Sequence, residues 1–588
     1  MTAPPARPRL KPRWVYPAEP DPAEVRALAA ELHLPPLLCR LLLVRGHSGV
    51  EPAKEFLRPR LERLHSPHSL PDAEIALDRL MRAAHEGETV LIHGDYDVDG
   101  ICATTLLTRS LRYFGAKPVP FIPRRLEDGY DLSEAGVRAA RDIGARLVVT
   151  CDCGTSALEP IRALCESGID VIVTDHHLPG GPLPQCLAVL NPKRPGSTYP
   201  DRDLAAVGVA FKLMLGLAEK LGANANPVYN MLDLVALATI ADVAPLRGEN
   251  RIFARYGLRL MAETPHQGLR ALMRASGVEG RPLTAGRVGF LLAPRLNAVG
   301  RLDHALRGVQ LLLSDNEPEA NRLARELEEM NRRRQEIDRA TLEAARKRVD
   351  ALDLDNTYGI VLAEQGWHPG VIGIVASRIV EETARPTVLI ALDGDVGKGS
   401  GRAPAPFNLH AGLIECRDLL VRFGGHPAAA GVTIEASRVD DFARRFNEVA
   451  RARLTPEDLL PELRIDAEIS IDEVTDELEA LLRHFEPFGV GNPSPVFASR
   501  NVRLAAPARV VGTDGLKLRI AGSVRERDAL GWGMGELAPD LGPDVALDIA
   551  YRIERDTYQG ETRLQLRLAD IRPAVTAPGG GAAAAGQR

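Results

Sequence analysis

Aromatic residues are scarce. They make up 4% of the 588 residues, so any binding that relies on ring stacking must rest on a few positions. Cysteine is sparse too. The seven, at 39, 102, 151, 153, 165, 186 and 416, are odd in number and scattered, which excludes a disulfide framework and fits a reducing, cytoplasmic compartment. Cys151 and Cys153 flank Asp152, but no second pair lies at zinc-ligand spacing, so a zinc knuckle is excluded. Long apolar runs are missing: nothing approaches the roughly 20 residues that cross a bilayer, and no membrane association is expected. The first residues, M-T-A-P-P-A-R-P-R-L-K-P-R-W, are basic and proline-rich without an apolar h-region, so no secretory signal is expected. An excess of positive charge is also missing. With 73 basic and 79 acidic residues the formal charge is −6, which argues against coating by nucleic acid but not against a local basic channel.

What is present is an ordinary globular composition, 45% hydrophobic and 26% charged, over a length that suggests roughly three to four domains. Residues 1–70 have helical periodicity broken by prolines and are expected to cap the domain that follows. Over 71–315 short aliphatic runs alternate with helical segments: T-V-L-I-H (89–93), R-L-V-V-T (146–150), D-V-I-V-T (170–174) and L-A-V-L-N (187–191). Runs apolar on both faces suit buried parallel strands, and the alternation predicts an open, doubly wound α/β sheet. Residues 316–352 predict one long charged helix, either a spacer or the wall of a groove. A second α/β pattern covers 353–458. Residues 459–574 alternate polar and apolar in L-K-L-R-I (516–520), V-A-L-D-I-A-Y-R-I-E-R (545–555) and T-R-L-Q-L-R-L (562–568), with a turn at Tyr558–Glu561, predicting a small antiparallel barrel. The tail, 575–588, is expected to be disordered.

The first three aliphatic runs end alike. His93, Asp95, Asp97 and Asp99 follow the first, Asp152 the second, and Asp175, His176 and His177 the third. The carboxyl ends of parallel strands line one edge of a sheet, where ligands bind. One Asp after a strand is usually a helix cap or turn residue. Three independent caps would need neither the histidines nor three acids in one loop, which favours a metal site. Mixed imidazole and carboxylate ligands suit manganese, with magnesium possible. So many ligands leave room for two ions about 3.5–4 Å apart, the arrangement used in phosphoester hydrolysis.

H-G-D-Y-D-V-D-G, T-C-D-C-G and T-D-H-H, in that order, resemble the DHH phosphoesterase superfamily. G-G-H-P-A-A-A-G (424–431) resembles its DHHA1 domain. The strand-rich region opening with P-F-G-V-G-N-P-S-P-V-F (487–497) resembles the OB-fold of the bacterial single-strand-specific 5′→3′ DNA exonucleases within that superfamily. The resemblance implies a metal-dependent exonuclease that degrades single-stranded DNA to mononucleotides in repair and recombination. It implies metal ligands at His93, Asp97, Asp99, a bridging Asp152 and His176, with His177 supporting or facing phosphate. A last acid is expected after a further apolar segment. Asp233 and Asp242 compete, and Asp242, at the end of A-T-I-A, is favoured. Asp95 is expected either to ligate or to orient a ligand. Asp97, Asp99, Asp152, His176 and His177 are the expected catalytic set.

For substrate phosphate, G-S-G-R and F-G-G-H offer Arg402, His426 and the close backbone approach of Gly424 and Gly425. A-P-R-L-N-A-V-G-R (293–301) resembles a further motif of these enzymes and offers Asn297 and Arg301, with Arg295 weaker. Arg109 is a candidate for a 5′ end, or else a solvated helix charge. Phe485, Phe488, Phe497 and Trp532 are available for stacking, and most are expected in the core. The resemblance also implies single-stranded DNA-binding protein and a repair helicase as partners, and the chain is expected to be a monomer. Three alternatives were weighed. A phosphodiesterase for cyclic dinucleotides or very short RNA needs neither the long helix nor the barrel. A pyrophosphatase would be shorter. A non-catalytic scaffold would have lost ligands that this chain retains.

Overall fold

The structure, a computed structural model, describes residues 10–125, 127–558 and 561–574. It forms two compact units. One comprises Pro59–Leu459 and Pro487–Pro493, and the other the described residues of Met1–Arg58, Leu460–Glu486 and Ser494–Arg588.

In the first unit, strands β1 (Thr89–Gly94), β2 (Lys117–Phe121), β3 (Leu147–Cys151), β4 (Asp170–Thr174) and β5 (Ala188–Leu190) form an all-parallel sheet in the order β2-β1-β3-β4-β5. The period-2 geometry of a strand sends neighbours to opposite faces. Ile92, Val149 and Ile172 enter a core with helix α1 (Val98–Phe114), helix α2 (Ala206–Leu221) and helix α3 (Leu232–Ala241). Leu91, Val148 and Val171 enter a second core on the other face, with Val137 and Ile161. Being apolar on both faces is thus what buries these strands. Strand β2, K-P-V-P-F, was not read from the sequence, because proline argues against a strand. It lies at the sheet edge, where prolines are tolerated.

Helix α4 (Ala293–Leu302) follows a π-helical turn at Val288–Leu292. Helix α5 (Glu317–Asp350) has 34 residues and starts at Asn316, whose side chain accepts the Glu319 N–H. At 1.5 Å per residue it is about 51 Å long. It is not a solvated spacer. Ala320, Leu323, Ala324 and Leu327 sit in the first core, while Leu342, Ala345 and Val349 sit in the core of a second sheet. That sheet contains β6 (Ile360–Gln365), β7 (Thr387–Asp393), β8 (Val396–Arg402), β9 (Arg422–Gly425) and β10 (Ala429–Glu435), in the order β9-β10-β8-β7-β6. Helix α6 (Ile372–Thr383) joins the parallel pair β6 and β7, and the remaining pairs are antiparallel.

In the second unit, β11 (Phe497–Val511), β12 (Gly515–Ala521), β13 (Glu526–Gly531), β14 (Leu547–Tyr558) and β15 (Glu561–Pro573) close into a five-stranded barrel through the β11–β14 and β13–β15 pairs. Register shifts along β11 let one long strand bend to serve two neighbours. Gln559 and Gly560 of the expected turn, and the tail 575–588, lie outside the described residues. Of the N-terminal region, Leu61, Leu64 and Leu70 pack on the core of the catalytic unit, while Arg13–Val15 lies in the second unit and pairs in parallel with Glu462–Arg464. Trp14 packs on Ile465, Val496 and Ala550, and its indole N–H donates to Asp570 at 2.7 Å. Such long-range pairing has no local sequence signal. Among the described residues, no single helix is long and apolar enough to cross a membrane.

Candidate metal centre and phosphate site

The acidic loop after β1 is wound tightly. A Cβ at Gly100 would lie 2.4 Å from the Asp95 carbonyl oxygen, and one at Gly94 would lie 2.0 Å from Thr104 Oγ1, so both positions require glycine. Asp97 caps α1, accepting the N–H groups of Asp99 at 2.9 Å and Gly100 at 3.2 Å. Asp99 is buried and accepts the N–H groups of Ala206 at 2.7 Å and Val207 at 2.9 Å, which open α2. A helix N-terminus favours the ionised carboxylate there. Asp152 follows β3 with φ 64, a left-handed conformation that Asp tolerates better than most residues. After β4, Asp175 arranges the histidines. Its Oδ1 accepts the His176 N–H at 2.7 Å and the His177 N–H at 3.1 Å, and lies 2.8 Å from His177 Nδ1.

These loops bring their polar atoms into three overlapping groups, each with ligand atoms within 4.8 Å of one another: Asp95, Asp97 and Asp152; Asp152, His176 and His177; and Asp99, His176 and Asp242. His176 Nε2 lies 3.2 Å from Asp152 Oδ1, 3.7 Å from Asp242 Oδ2 and 4.0 Å from Asp99 Oδ2. His177 Nδ1 lies 3.8 Å from Asp152 Oδ1. Among the described residues, Asp95 Oδ1, Asp152 Oδ1 and His176 Nε2 are buried without a hydrogen-bond partner. The short approach between Asp152 and His176 lacks hydrogen-bonding geometry.

Electrostatics shows what these groups would hold. Burial, then repulsion from Asp97, pushes Asp95 and Asp152 well above the usual carboxylate range and raises Asp99 to about 7. Burial, then Asp99 and Asp97, raises Asp242 to about 8. Burial lowers His176 to about 3, leaving a neutral imidazole. Burial opposes charge on His177 as well, yet its hydrogen bond to Asp175 holds it up at about 9. Unpaired carboxyl oxygens and a neutral imidazole nitrogen within these overlapping groups fit divalent cations, and the mixed oxygen and nitrogen donors suit Mn²⁺ or Mg²⁺.

Asp242, at the end of α3, joins this cluster. Asp233 does not: it is fully buried within α3, where its Oδ2 accepts the Thr264 hydroxyl at 2.5 Å and meets His266 Nδ1 at 3.0 Å. His93 lies outside the three groups, although its Nε2 is likewise buried without a hydrogen-bond partner. Its ring tilts against Phe121 with centroids 5.2 Å apart, its Nδ1 lies 3.5 Å from Cys153 Sγ, and a Cβ at Gly136 would meet its Nε2 at 2.8 Å. As a strand residue it shares the face of Leu91, and Asp95 takes the third place beside Asp97 and Asp152. Of the two readings of Arg109, its contacts favour the helix charge. Its guanidinium donates to Asp315 at 2.7 Å and to the Leu312 carbonyl at 3.1 Å, as a structural helix charge does.

The phosphate candidates gather as like charges. Arg301 donates to the Gly370 carbonyl at 2.8 Å, and burial together with Arg125, Arg402 and Arg334 lowers it to about 10. Burial and Arg125 lower Arg402 as well. Arg402 lies over the first turn of α6, where a Cβ at Gly373 would sit 3.0 Å from its Nη2. Asn297 is half-buried one turn before Arg301, while Arg295 is held by Glu328 and the Leu291 carbonyl. Gly425 has φ +145, and a Cβ there would lie 2.4 Å from the Ala429 carbonyl oxygen, whereas Gly424 faces open space. The exposed His426 is lowered by partial burial and then by the charges of His177, His410 and Lys193.

Sequence reasoning missed four residues here. Tyr130 OH lies 3.2 Å from His177 Nε2, and Arg125 stacks over Tyr96 at 4.6 Å. Lys193 acts on Asp242, His176 and His426. Asp175 was noted as part of its motif but given no role. The first three are single loop residues: Lys193 follows a run legible as a strand, whereas Arg125 and Tyr130 follow β2, whose prolines hide it. Of the aromatic candidates, Phe485 and Phe497 are buried, Phe488 is half-buried and Trp532 is exposed, with Arg567 5.7 Å from its ring centre.

Residues 89–239 match the DHH family, N-terminal domain, residues 356–452 match the DHHA1 domain, and residues 465–570 match the RecJ OB domain. An acidic strand edge facing a DHHA1 domain defines the class, a DHH phosphoesterase. The single-stranded-DNA-specific exonuclease RecJ of Bacillus subtilis (strain 168) is 37% identical over 564 residues, covering 95% of this chain and 71% of that protein. The Escherichia coli (strain K12) exonuclease of the same name is 37% identical over 573 residues, covering 94% of this chain and 98% of that protein. The crystal structure of RecJ from Thermus thermophilus in complex with Mn²⁺ has a TM-score of 0.83 at 34% identity, over 97% of this chain and 81% of that one. The chain belongs to the RecJ family.

Proposed function

We propose that this chain is a manganese- or magnesium-dependent exonuclease that removes mononucleotides from single-stranded DNA in the 5′→3′ direction, in repair and recombination. The observation that carries this is the overlap of three ligand groups through Asp152 and His176, whose Oδ1 and Nε2 are buried without a hydrogen-bond partner. Asp95, Asp97 and Asp152 would hold one ion, and Asp99, Asp152, His176 and Asp242 a second. When bound, the ions supply positive charge at the phosphoryl group and acidify water for attack. The chain's own residues do the rest. The α2 N-terminus favours ionisation of Asp99 against the burial that opposes it, and Asp175 keeps His177 cationic and oriented. The Tyr130 hydroxyl meets the other ring nitrogen, Nε2, at 3.2 Å, and His177 donates to a phosphate oxygen by exchanging that partner. Arg301, Arg402, His426 and the Gly425 backbone grip the phosphates beyond the scissile bond, and Asn297 lies beside them. Single-stranded DNA-binding protein and a repair helicase as partners, a monomeric state and a cytoplasmic location belong to the same proposal.

The test is digestion of 5′- and 3′-labelled single strands and of duplex, with Mn²⁺, Mg²⁺ or EDTA. Stepwise release from the 5′ end of single strands, abolished by EDTA, is expected. Loss from the 3′ end, or equal degradation of duplex, overturns the reading.

A further inference from the structure

The segment P-F-G-V-G-N-P (487–493) opens the strand-rich region in sequence, yet it packs with the catalytic unit while the chain on both sides of it belongs to the other. It is closed on itself. Gly489 and Asn492 exchange main-chain hydrogen bonds of 2.9 and 3.1 Å, and the Asn492 side chain donates to the Pro487 carbonyl at 2.9 Å. What it holds is the chain just after Asp242. The Leu246 N–H donates to the Val490 carbonyl at 2.7 Å, and Arg247 Nε donates to the Gly491 carbonyl at 2.9 Å. Arg251 reaches the Pro487 carbonyl at 3.4 Å. The approach is close: a Cβ at Gly489 would lie 2.7 Å from the end of the Leu246 side chain, and Gly491, where φ is +75 and a Cβ would lie 3.0 Å from Pro245 Cβ, favours glycine.

The chain it holds is strained. Asp242 caps α3, and the turn beyond it bonds Val243 N–H to the Ile240 carbonyl at 3.3 Å and Ala244 N–H to the Thr239 carbonyl at 3.2 Å. This is the Schellman pattern, which needs a left-handed residue after the cap, normally glycine. Here the residue is Val243, with φ 60 and 60% exposed. A β-branched residue in that conformation is an outlier that persists only where its surroundings impose it.

We infer that Pro487–Pro493 is a clip that imposes the strained turn and thereby sets Asp242 against His176. Val490, Gly491, Leu246 and Arg247 are positioning residues, because they act through Asp242. The inference rests on Asp242 being a metal ligand, as proposed above.

The test is Mn²⁺ affinity by isothermal titration of the full chain. The variants are Arg247→Ala and Gly491→Ala, each alone and combined with Val243→Gly, beside Asp242→Ala. Arg247 is exposed, so its variant keeps the fold even if Gly491→Ala does not. Each clip variant is expected to weaken Mn²⁺ binding roughly 10-fold. At saturating Mn²⁺ its KM for single-stranded DNA stays at the wild-type value. Adding Val243→Gly restores most of the lost affinity, because a glycine holds the turn unaided, a rescue that a merely weakened fold would not show. Wild-type affinity in the clip variants while Asp242→Ala loses Mn²⁺, or loss without rescue, overturns the clip. Wild-type affinity in Asp242→Ala overturns the ligand reading and the clip with it.

Discussion

The two sheets of the catalytic unit face opposite electrostatic problems. The parallel sheet gathers carboxyls at its strand ends until burial and mutual repulsion raise Asp99 to about 7 and Asp242 to about 8. The second sheet brings Arg402 beside Arg125 and Arg301, and there the guanidinium of Arg301 falls to about 10. Neither arrangement is comfortable alone. A divalent cation relieves the first and a phosphate anion relieves the second, and a metal-bound phosphodiester supplies both at once. Like charges held together by the fold therefore outline the ligand that is to separate them.

The largest way to break this comparison is Asp152→Asn, which keeps a side chain that tolerates φ 64 but removes the charge shared by two ligand groups. Turnover should fall by roughly 10²–10³-fold or more, the scale of losing one transition-state contact. The metal-free melting temperature should rise, because repulsion is relieved, and a fall would break the electrostatic reading. On the other side, Arg402→Ala should lower kcat/KM on single strands roughly 10–100-fold, the worth of a charged hydrogen bond. Arg402→Lys should recover only part of that, since a point charge lacks the planar fork.

A smaller effect is thermodynamic. Mn²⁺ at 100 times its Kd should stabilise the fold by about 2.7 kcal/mol in calorimetry, and EDTA should remove this. The pH dependence in EDTA follows from the raised carboxyls. A carboxyl whose folded pKa lies above its unfolded value of about 4 favours folding below that pH and loses the contribution as pH rises through the folded value. Asp99 at about 7 and Asp242 at about 8 thus predict that metal-free stability declines from about pH 4 to 8, and that Mn²⁺ flattens the decline. The smallest effect is expected from Arg109→Ala. Its partners are Asp315 and a main-chain carbonyl, so kcat/KM should stay near wild type in the exonuclease assay.

The acidic half was the more legible in sequence, because each acid follows a local aliphatic run and the strand ends of a parallel sheet must converge. Asp242 could be told from Asp233 by its place at the end of an apolar helix rather than inside it. The place of His93 beside Phe121 and outside the three groups depends on the pleat, which spacing alone does not reveal. The cationic half was readable only through family motifs: Arg402 and His426 stand in glycine-rich stretches, while Arg125, Lys193 and Tyr130 are lone loop residues. The pairing of Arg13–Val15 with Glu462–Arg464 joins segments that no local pattern connects.

Helix α5 has a consequence for how such a chain can change length. Its two halves are set into the cores of the two sheets, so it works as a ruler with an angular scale. One residue inserted midway would advance the second half by about 1.5 Å and turn it by about 100°. That would carry Gly370 away from Arg301, now 2.8 Å apart. Loops between strands can lengthen freely, but this segment can vary only in steps close to whole turns.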